Sequence, residues 1–251
     1  MNFEPHYLRG IIHCHSRYSY DSMTPVSRYL RVARRHQLDF IILTDHDSLQ
    51  GSQALREVAA RQMPELAVPL AAEYLTDEGD VIAAFLADDI RSRTFSQFAA
   101  EARSKDAVLL LPHPFVGHRS PQRLAEECAL IEVVNSRAST SKNELAAGLA
   151  RSLGKRTYVG SDAHFGKSIA NAIVEVEDLG NLRTSLLRGR IKWGRPRLTT
   201  RWEYGASQLI KSWKRRDGKL ALRLLNSACA QLAGKVVSAG RVTTNSRSER
   251  P

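Results

Sequence analysis

Short apolar runs that alternate with amphipathic, charge-rich segments fill about the first 180 residues of the chain. Most runs are rich in Val, Ile or Leu, as buried strands are, and the segments between them have helical spacing. The runs lie at residues 8–12, 40–43, 66–72, 81–86, 107–111, 129–134, 157–159 and 173–176, and the helical segments include 25–36, 48–61, 94–104, 121–128 and 142–153. This alternation predicts an α/β fold with a mainly parallel sheet.

The composition excludes several other classes of protein. With 251 residues, 43% of them hydrophobic and 25% charged, the chain can bury a sizeable core and is not disordered or collagenous. No run approaches the roughly 18 apolar residues of a membrane span, and residues 1–8 have no apolar stretch typical of a secretory signal. Three widely spaced cysteines do not form a disulfide framework, so we expect a reducing cytoplasm.

The net charge of +11 is unevenly distributed. Residues 183–251 contain 17 basic and three acidic residues, a net charge of +14, whereas residues 1–182 contain 20 basic and 23 acidic residues, a net charge of −3. Such asymmetry suggests an anionic partner for the C-terminal part: nucleic acid, an anionic membrane or an acidic protein. The alternative is a solvated extension without a partner.

The charge division suggests three segments. Residues 1–182 are predicted to form the body, residues 183–235 a basic helical appendix and residues 236–251 a disordered tail. Two apolar stripes with helical spacing, within 202–213 and 220–232, are expected to pack on the body. Truncation at about Thr200 is therefore expected to leave the chemistry of the body nearly unchanged.

Ligand-type side chains occur at or just past the ends of six successive apolar runs, each separated by about one strand-helix unit. In parallel α/β barrels, the carboxyl ends of the strands form the active site. We therefore expect these side chains to converge. They are His13, Asp45 with His46, Glu73, His113, Asn135 and Asp162.

The local patterns favour metal binding. Because side chains alternate along a strand, His13 and His15 are predicted to share one face, while Cys14 points into the core. Asp45 next to His46 is typical of a carboxylate that orients a ligand histidine. A carboxylate at Glu73 would be costly to bury without cations.

Taken separately, other candidates have ordinary explanations. Asp21 fits a turn or helix cap, His113 a rigid Pro-His-Pro turn, and Asn135 a strand end. With His15, Asp162 and His164, however, the set comprises five histidines, three carboxylates and one amide, too many for one ion. Two or three divalent ions fit this number of donors.

These motifs, in this order, resemble the polymerase-and-histidinol-phosphatase (PHP) family. The resemblance covers about residues 8–176 and rests on His13-Cys14-His15 with Ser19 and Asp21, Thr44-Asp45-His46-Asp47, Glu73, Pro112-His113-Pro114 and Gly160-Ser161-Asp162-Ala163-His164. It implies a distorted seven-stranded, TIM-like β/α barrel, here with a C-terminal helical appendix. It also implies hydrolysis of phosphate esters by a metal-bound hydroxide.

The resemblance also implies a set of ligands for two or three ions of Mn, Fe or Zn. They would be His13, His15, Asp21, His46, Glu73, His113, Asn135, Asp162 and His164. Many relatives have a histidine where this chain has Asp80, so the role of Asp80 is left open.

Arginines close to the predicted ligands are candidates for binding the phosphoryl oxygens. The predicted catalytic residues are Glu73, Asp45, Arg17, Arg119 and Arg137. The expected substrate is a small phosphorylated metabolite or nucleotide. The alternatives are a nuclease that uses the basic tail, a protein-tyrosine phosphatase, or a metal-containing binding module without catalysis.

Overall fold

The computed structural model of the chain describes residues 4–219 and confirms an α/β fold. Its strands are β1 Tyr7–Ile12, β2 Phe40–Ile42, β3 Ala71–Leu75, β4 Asp80–Ala84, β5 Val108–Leu111, β6 Leu130–Asn135, β7 Arg156–Gly160, β8 Val174–Glu177 and β9 Ile191–Trp193. Its helices are α1 Val26–His36, α2 Gln50–Gln62, α3 Phe95–Ser104, α4 Pro121–Glu127, α5 Thr140–Ser152, α6 Leu182–Arg188 and α7 Arg201–Arg215. Among these residues, no helix is long and apolar enough to cross a membrane.

The strands form two mixed sheets, in the orders β2-β1-β8-β9 and β3-β4-β5-β6-β7. Only three of the seven pairings, β1 with β2, β5 with β6, and β6 with β7, are parallel, so the prediction of a mainly parallel sheet is wrong. The physical reason is clearest at β3 and β4: the four residues between them allow a hairpin but not the helical crossover that a parallel pair requires.

The expected closed, seven-stranded barrel does not appear as a continuous ladder among the described residues. Instead, isolated parallel bridges join the two sheets, at Cys14 with Ala163, at Phe40 with Ala67 and at His46 with Glu73. Two of these three bridges contain candidate metal ligands or their immediate neighbours. The contacts between the sheets therefore bring the polar residues of both sheets to one place.

The predicted strands are all present, but some boundaries differ. Residues 66–70 precede β3, so Glu73 lies inside this strand rather than after it. The sequence pattern did not predict α6 or β9, and β9 extends the first sheet by pairing with β8. The first sheet thus includes residues up to 193, beyond residue 183 where the appendix is predicted to begin. The second apolar stripe and residues 236–251 lie outside the described residues.

Gly10 shows how closely β1 and β2 are packed. It pairs with Phe40, whose ring is fully buried. A Cβ atom at Gly10 would lie only 2.4 Å from Cζ of that ring. The absence of a side chain at Gly10 therefore leaves room for the aromatic ring beside the strands that precede His13 and His46.

We predict that Gly10→Ala destabilises the protein by about 1–3 kcal/mol, because the added methyl group overpacks the core against Phe40. Urea unfolding followed by circular dichroism would measure the change. Gly148→Ala is the control, since Gly148 lies in α5 with open space around its missing Cβ. It should be neutral or stabilise by up to about 1 kcal/mol. Equal stability of Gly10→Ala and the wild type would contradict the packing argument.

Candidate metal centre

The first two histidines of the site follow β1 directly. They are not carried by the strand as predicted, because β1 ends at Ile12 and His13 adopts a positive φ of 64°. Both imidazoles are nevertheless fully buried and close together, with ring centroids 5.4 Å apart. Cys14 is buried in the apolar core beside them, where its Sγ lies 3.8 Å from the carbonyl oxygen of Ile42.

The carboxylate of Glu73 lies among four histidines. Its Oε2 is 3.3 Å from Nε2 of His15, 3.3 Å from Nδ1 of His46 and 3.5 Å from Nε2 of His13. Its Oε1 is 3.0 Å from Nε2 of His113. Burial disfavours the charge, but His13 and His46 hold the pKa of Glu73 well below its usual range. The two oxygens face different histidines, as those of a bridging carboxylate do.

Two aspartates bring His164 into the same cluster. Oδ2 of Asp21 lies 3.0 Å from Nε2 of His164 and 3.3 Å from Nε2 of His46. Oδ1 of Asp162 lies 3.3 Å from Nε2 of His15 and 3.4 Å from Nδ1 of His164. The carboxylate of Asp21 therefore lies within the cluster, and its explanation as an ordinary turn residue is incomplete.

Asp80 also joins the cluster, although the sequence left its role open. It begins β4, which runs antiparallel to β3, so the hairpin returns it to the edge where Glu73 lies. A possible ligand atom of Asp80 lies within 4.8 Å of those of Glu73 and His113. Burial and the nearby charge of Glu73 raise the pKa of Asp80 to about 6.

These residues form four groups, and within each group the possible ligand atoms all lie within 4.8 Å of one another. They are His15, Asp21, His46 and His164; His13, His113 and Asp162; His13, His15 and Glu73; and Glu73, Asp80 and His113. Because the groups share residues, they describe adjoining positions for more than one ion. Eight of the nine predicted ligands belong to them.

Orphaned polar atoms show that this donor set fits metal ions. Buried polar atoms nearly always have hydrogen-bond partners. Five buried atoms of the cluster have none among the described residues: Nε2 of His13, Nε2 of His15, Oδ1 of Asp21, Oε2 of Glu73 and Nδ1 of His113. Imidazole nitrogens and carboxylate oxygens are ligands of Zn, Mn and Fe.

Glu132 is a residue of the site that sequence reasoning missed. Its side chain is fully buried, and Oε1 lies 2.9 Å from Nδ1 of His13. Its Oε2 accepts hydrogen bonds from the backbone N–H of His113 and from Nδ2 of Asn135. A carboxylate that accepts from one ring nitrogen leaves the other nitrogen free for a metal. Glu132 therefore orients His13 toward the centre.

A β-bulge explains why the strand pattern concealed Glu132. In a regular strand, Glu132 and Asn135 would lie on opposite faces, but β6 has an extra residue between Glu132 and Val134 relative to β7. Gly160 also leaves space, since a Cβ there would lie 1.6 Å from Oε1 of Glu132. The available signal was a charged residue inside the apolar run 129–134.

Asn135 and Asp45 contact the site differently from the prediction. The amide oxygen of Asn135 accepts from the backbone N–H groups of Arg137 and Ala138, while Nδ2 donates to Glu132 and Asp162. In this arrangement Asn135 orients carboxylates instead of offering its oxygen as a ligand. The carboxylate of Asp45 accepts from N and Oγ of Ser16, both at 2.6 Å, and so braces the loop after His15.

Only one of the three predicted phosphate-binding arginines lines the central cavity. The guanidinium of Arg137 lies 3.7 Å from Oδ1 of Asp162 and donates to Oγ of Ser207 at 2.9 Å. Arg17 and Arg119 are exposed and do not line the central cavity. The difference follows from their positions in the fold. Arg137 lies just after the end of β6, beside the cavity, whereas Arg17 and Arg119 lie in surface loops.

Helix α7 forms one wall of the central cavity, which has a volume of about 220 Å³. Tyr204, Gln208 and Lys211 of this helix line it together with the candidate ligands. The ring of Tyr204 also packs on the guanidinium of Arg137, 5.0 Å away. This arrangement argues against the expectation that truncation at Thr200 leaves the chemistry unchanged, because the truncation removes the wall.

Lys214 attaches α7 to the loop that carries Asp21. Its Nζ donates hydrogen bonds of 2.7 Å to the carbonyl oxygens of Arg17, Ser19 and Ser22. Tyr20 of this loop stacks on the imidazole of His46, with ring centroids 4.4 Å apart and planes within 5°. The helix is therefore coupled to the metal centre through the loop.

Comparisons with known proteins found a family model that matches one segment of the chain and solved structures with a similar fold. Residues 140–194 match the family model PHP_C, described as PHP-associated. The fold is similar to a two-domain protein from Bacteroides vulgatus that contains a predicted PHP-like metal-dependent phosphoesterase, with a TM-score of 0.64 and 19% identity over 76% of this chain. The chain is thus similar to PHP-domain proteins in residues 140–194 and in its fold. It spans 66% of the length of the Bacteroides protein.

Two further proteins are similar to this chain. PsfC from Pseudomonas syringae has a TM-score of 0.60 at 18% identity, and the match covers 84% of this chain and 99% of PsfC. An uncharacterized protein from Methanocaldococcus jannaschii is 23% identical over 119 residues, which cover 43% of this chain and 68% of that protein. At these identities the solved structures show the fold alone, and a shared fold does not determine the chemistry of the site.

We predict that Glu132→Gln lowers the affinity for divalent metal about 10–100-fold, because the neutral amide no longer holds His13 through a charged hydrogen bond. Competition with a chelating dye would measure the affinity. Glu57→Gln, on the exposed surface of α2, is the matched control and should bind metal like the wild type. Equal affinities of the two variants would contradict the role of Glu132.

We also predict that Lys214→Met loosens both α7 and the loop of residues 17–22, since three hydrogen bonds between them are lost. Amide hydrogen exchange should become faster in both segments and stay unchanged in β5 and β6. Lys142→Met on the exposed face of α5 is the control. Unchanged exchange in α7 would show that the ammonium group does not anchor the helix.

Proposed function

We propose that this chain is a PHP-type, metal-dependent phosphoesterase that removes a terminal phosphate from a small molecule. The observation that carries the proposal is the position of Glu73, whose two oxygens face four histidines with unpartnered ring nitrogens among them. Such a donor set is suited to two or three Mn, Fe or Zn ions. When bound, these ions would lower the pKa of water and neutralise phosphoryl oxygens.

The residues of the chain have separate tasks in this proposal. Glu73 and the histidines hold the ions, and Glu132 and Asn135 fix the orientation of these ligands. Arg137 and Lys211 are the cations of the cavity wall, so they would bind non-bridging phosphoryl oxygens. Ser207 and Tyr204 hold the guanidinium of Arg137 in place from α7.

The cavity favours a terminal phosphate on a small molecule over an internal phosphodiester. Its volume of about 220 Å³ is below the range of roughly 300–1,000 Å³ typical of drug-sized ligands. One side is closed by α7, whereas a nucleic-acid strand cleaved internally would need space on both sides of the scissile bond. These features also disfavour a folded phosphotyrosine protein as the substrate. A short phosphopeptide is smaller and should be tested among the candidate substrates.

We expect the purified protein to contain two or three equivalents of Mn, Fe or Zn, and its hydrolysis of p-nitrophenyl phosphate to stop after chelation and return with metal. Glu73→Gln should reduce turnover about 10²–10⁴-fold, since it keeps the volume but removes the charge between the histidines. Elemental analysis and steady-state kinetics would measure both effects. Glu144→Gln on the exposed surface of α5 is the control.

The outcomes separate the proposed activity from its alternatives. Full activity in a chelated, metal-free protein would reject metal dependence. Bound metal without turnover of phosphomonoesters, nucleotides, phosphopeptides or RNA would instead indicate a binding module. Turnover by Glu73→Gln within a few-fold of the control would show that Glu73 does not take part in the chemistry.

A further inference from the structure

A strongly cationic cavity of about 510 Å³ lies along α1, outside the catalytic cavity. Five basic side chains line it, and no acidic residue of the described chain does. These side chains are Arg28, Arg31, Arg35, Lys167 and Arg197, and we call the site the α1 cavity.

The positive charges of the α1 cavity are almost uncompensated. Among residues 4–219, only Lys167 of the five has an ion-pair partner, Glu203 at 3.8 Å. The carboxylate of Glu203 is itself engaged by Ser168 and by Thr200 at the start of α7. Burial and the nearby charges of Arg35, Arg9 and Arg197 lower the pKa of His36 at the edge of the cavity, as expected in a positive field.

The spacing of the arginines points to a ligand with several phosphates. Arg28, Arg31 and Arg35 stand at positions i, i+3 and i+7 of α1, so they lie along one helix face. They extend over about 10 Å of the helix axis at 1.5 Å per residue. A single phosphate group could not contact this whole row, whereas phosphates in series could.

A second cavity of about 550 Å³ adjoins the first and supplies an aromatic surface. The two cavities share Arg28, Arg31, Gly166 and Lys167. The second is bounded by Trp202, whose side chain is 68% exposed and lies 6.1 Å from the ring of Phe165. Exposed aromatic rings beside cations are the elements with which proteins stack a base and hold its phosphates.

We propose that the two adjoining cavities bind a nucleoside triphosphate, with the base on Trp202 and the phosphates on Arg31, Arg35 and Arg197. Each cavity is within the size range of small-ligand sites. The bound nucleotide carries about four negative charges at neutral pH and so balances the unpaired guanidinium groups. This site goes beyond the proposed phosphoesterase activity. His164 lines both the second cavity and the central cavity, but none of the residues proposed to bind the nucleotide is a candidate metal ligand.

Isothermal titration calorimetry of the full-length protein tests the proposal with three probes: the β,γ-imido analogue of ATP, inorganic triphosphate and adenosine. We expect binding of the analogue and of triphosphate, and much weaker binding of adenosine. Affinity should fall as the salt concentration rises, because exposed charges are screened.

Variants distinguish this site from the catalytic cavity and from general attraction to a basic chain. The double variant Arg31→Gln, Arg35→Gln should weaken binding of both the analogue and triphosphate by at least about tenfold. Trp202→Ala should weaken binding of the analogue but not of triphosphate. The control Arg61→Gln, Arg151→Gln removes the same charge from exposed positions in α2 and α5 and should leave both affinities within about twofold. Hydrolysis of p-nitrophenyl phosphate should be unchanged in all three.

Three results would overturn the proposal. The first is equal binding by the Arg31/Arg35 variant and the Arg61/Arg151 control. The second is an analogue affinity that Trp202→Ala does not change, since the base would then not lie on the indole. The third is loss of single-stranded RNA or anionic-vesicle binding in the Arg31/Arg35 variant without nucleotide binding by the wild type, which would assign the cavity to a macromolecule.

Discussion

The balance of charge around Glu73 is the constraint on which the rest of the site depends. Five buried or nearly buried carboxylates, those of Asp21, Glu73, Asp80, Glu132 and Asp162, lie within one network of contacts. Burying so many negative charges is unfavourable unless cations or hydrogen bonds offset them. Arg137 and the histidines provide part of this compensation, and the unpartnered nitrogens and oxygens leave room for divalent ions to provide the remainder.

This constraint explains features of the fold that look unrelated along the sequence. The bulge in β6 turns Glu132 toward His13, and the lack of a side chain at Gly160 makes space for that carboxylate. The β3–β4 hairpin brings Asp80 back to Glu73. Asp45 fixes Ser16 in the loop that follows His15. Each departure from regular strand geometry orients a ligand or its support.

Helix α7 changes the meaning of the basic C-terminal segment. Its charge suggested an appendage that acts separately from the body, yet Lys214 donates to the loop of residues 17–22 and Lys211 lines the central cavity. Arg215 packs on Tyr20, which in turn stacks on His46. Some of the positive charge thus serves a site rich in carboxylates within the same chain. Residues of α1 form a separate basic surface that net charge alone could not reveal.

The sequence by itself determined the α/β class and the approximate positions of eight strands. It also identified eight of the nine residues whose atoms form the four candidate ligand groups. These features could be predicted because apolar periodicity and residue chemistry are local properties. Only the tertiary structure decided strand direction, the roles of Glu132, Asn135 and Asp45, and the position of α7 over the site. These features depend on which segments meet across long distances in the chain. A one-residue bulge or a hairpin changes the face on which a side chain lies without leaving a periodic signal in the sequence.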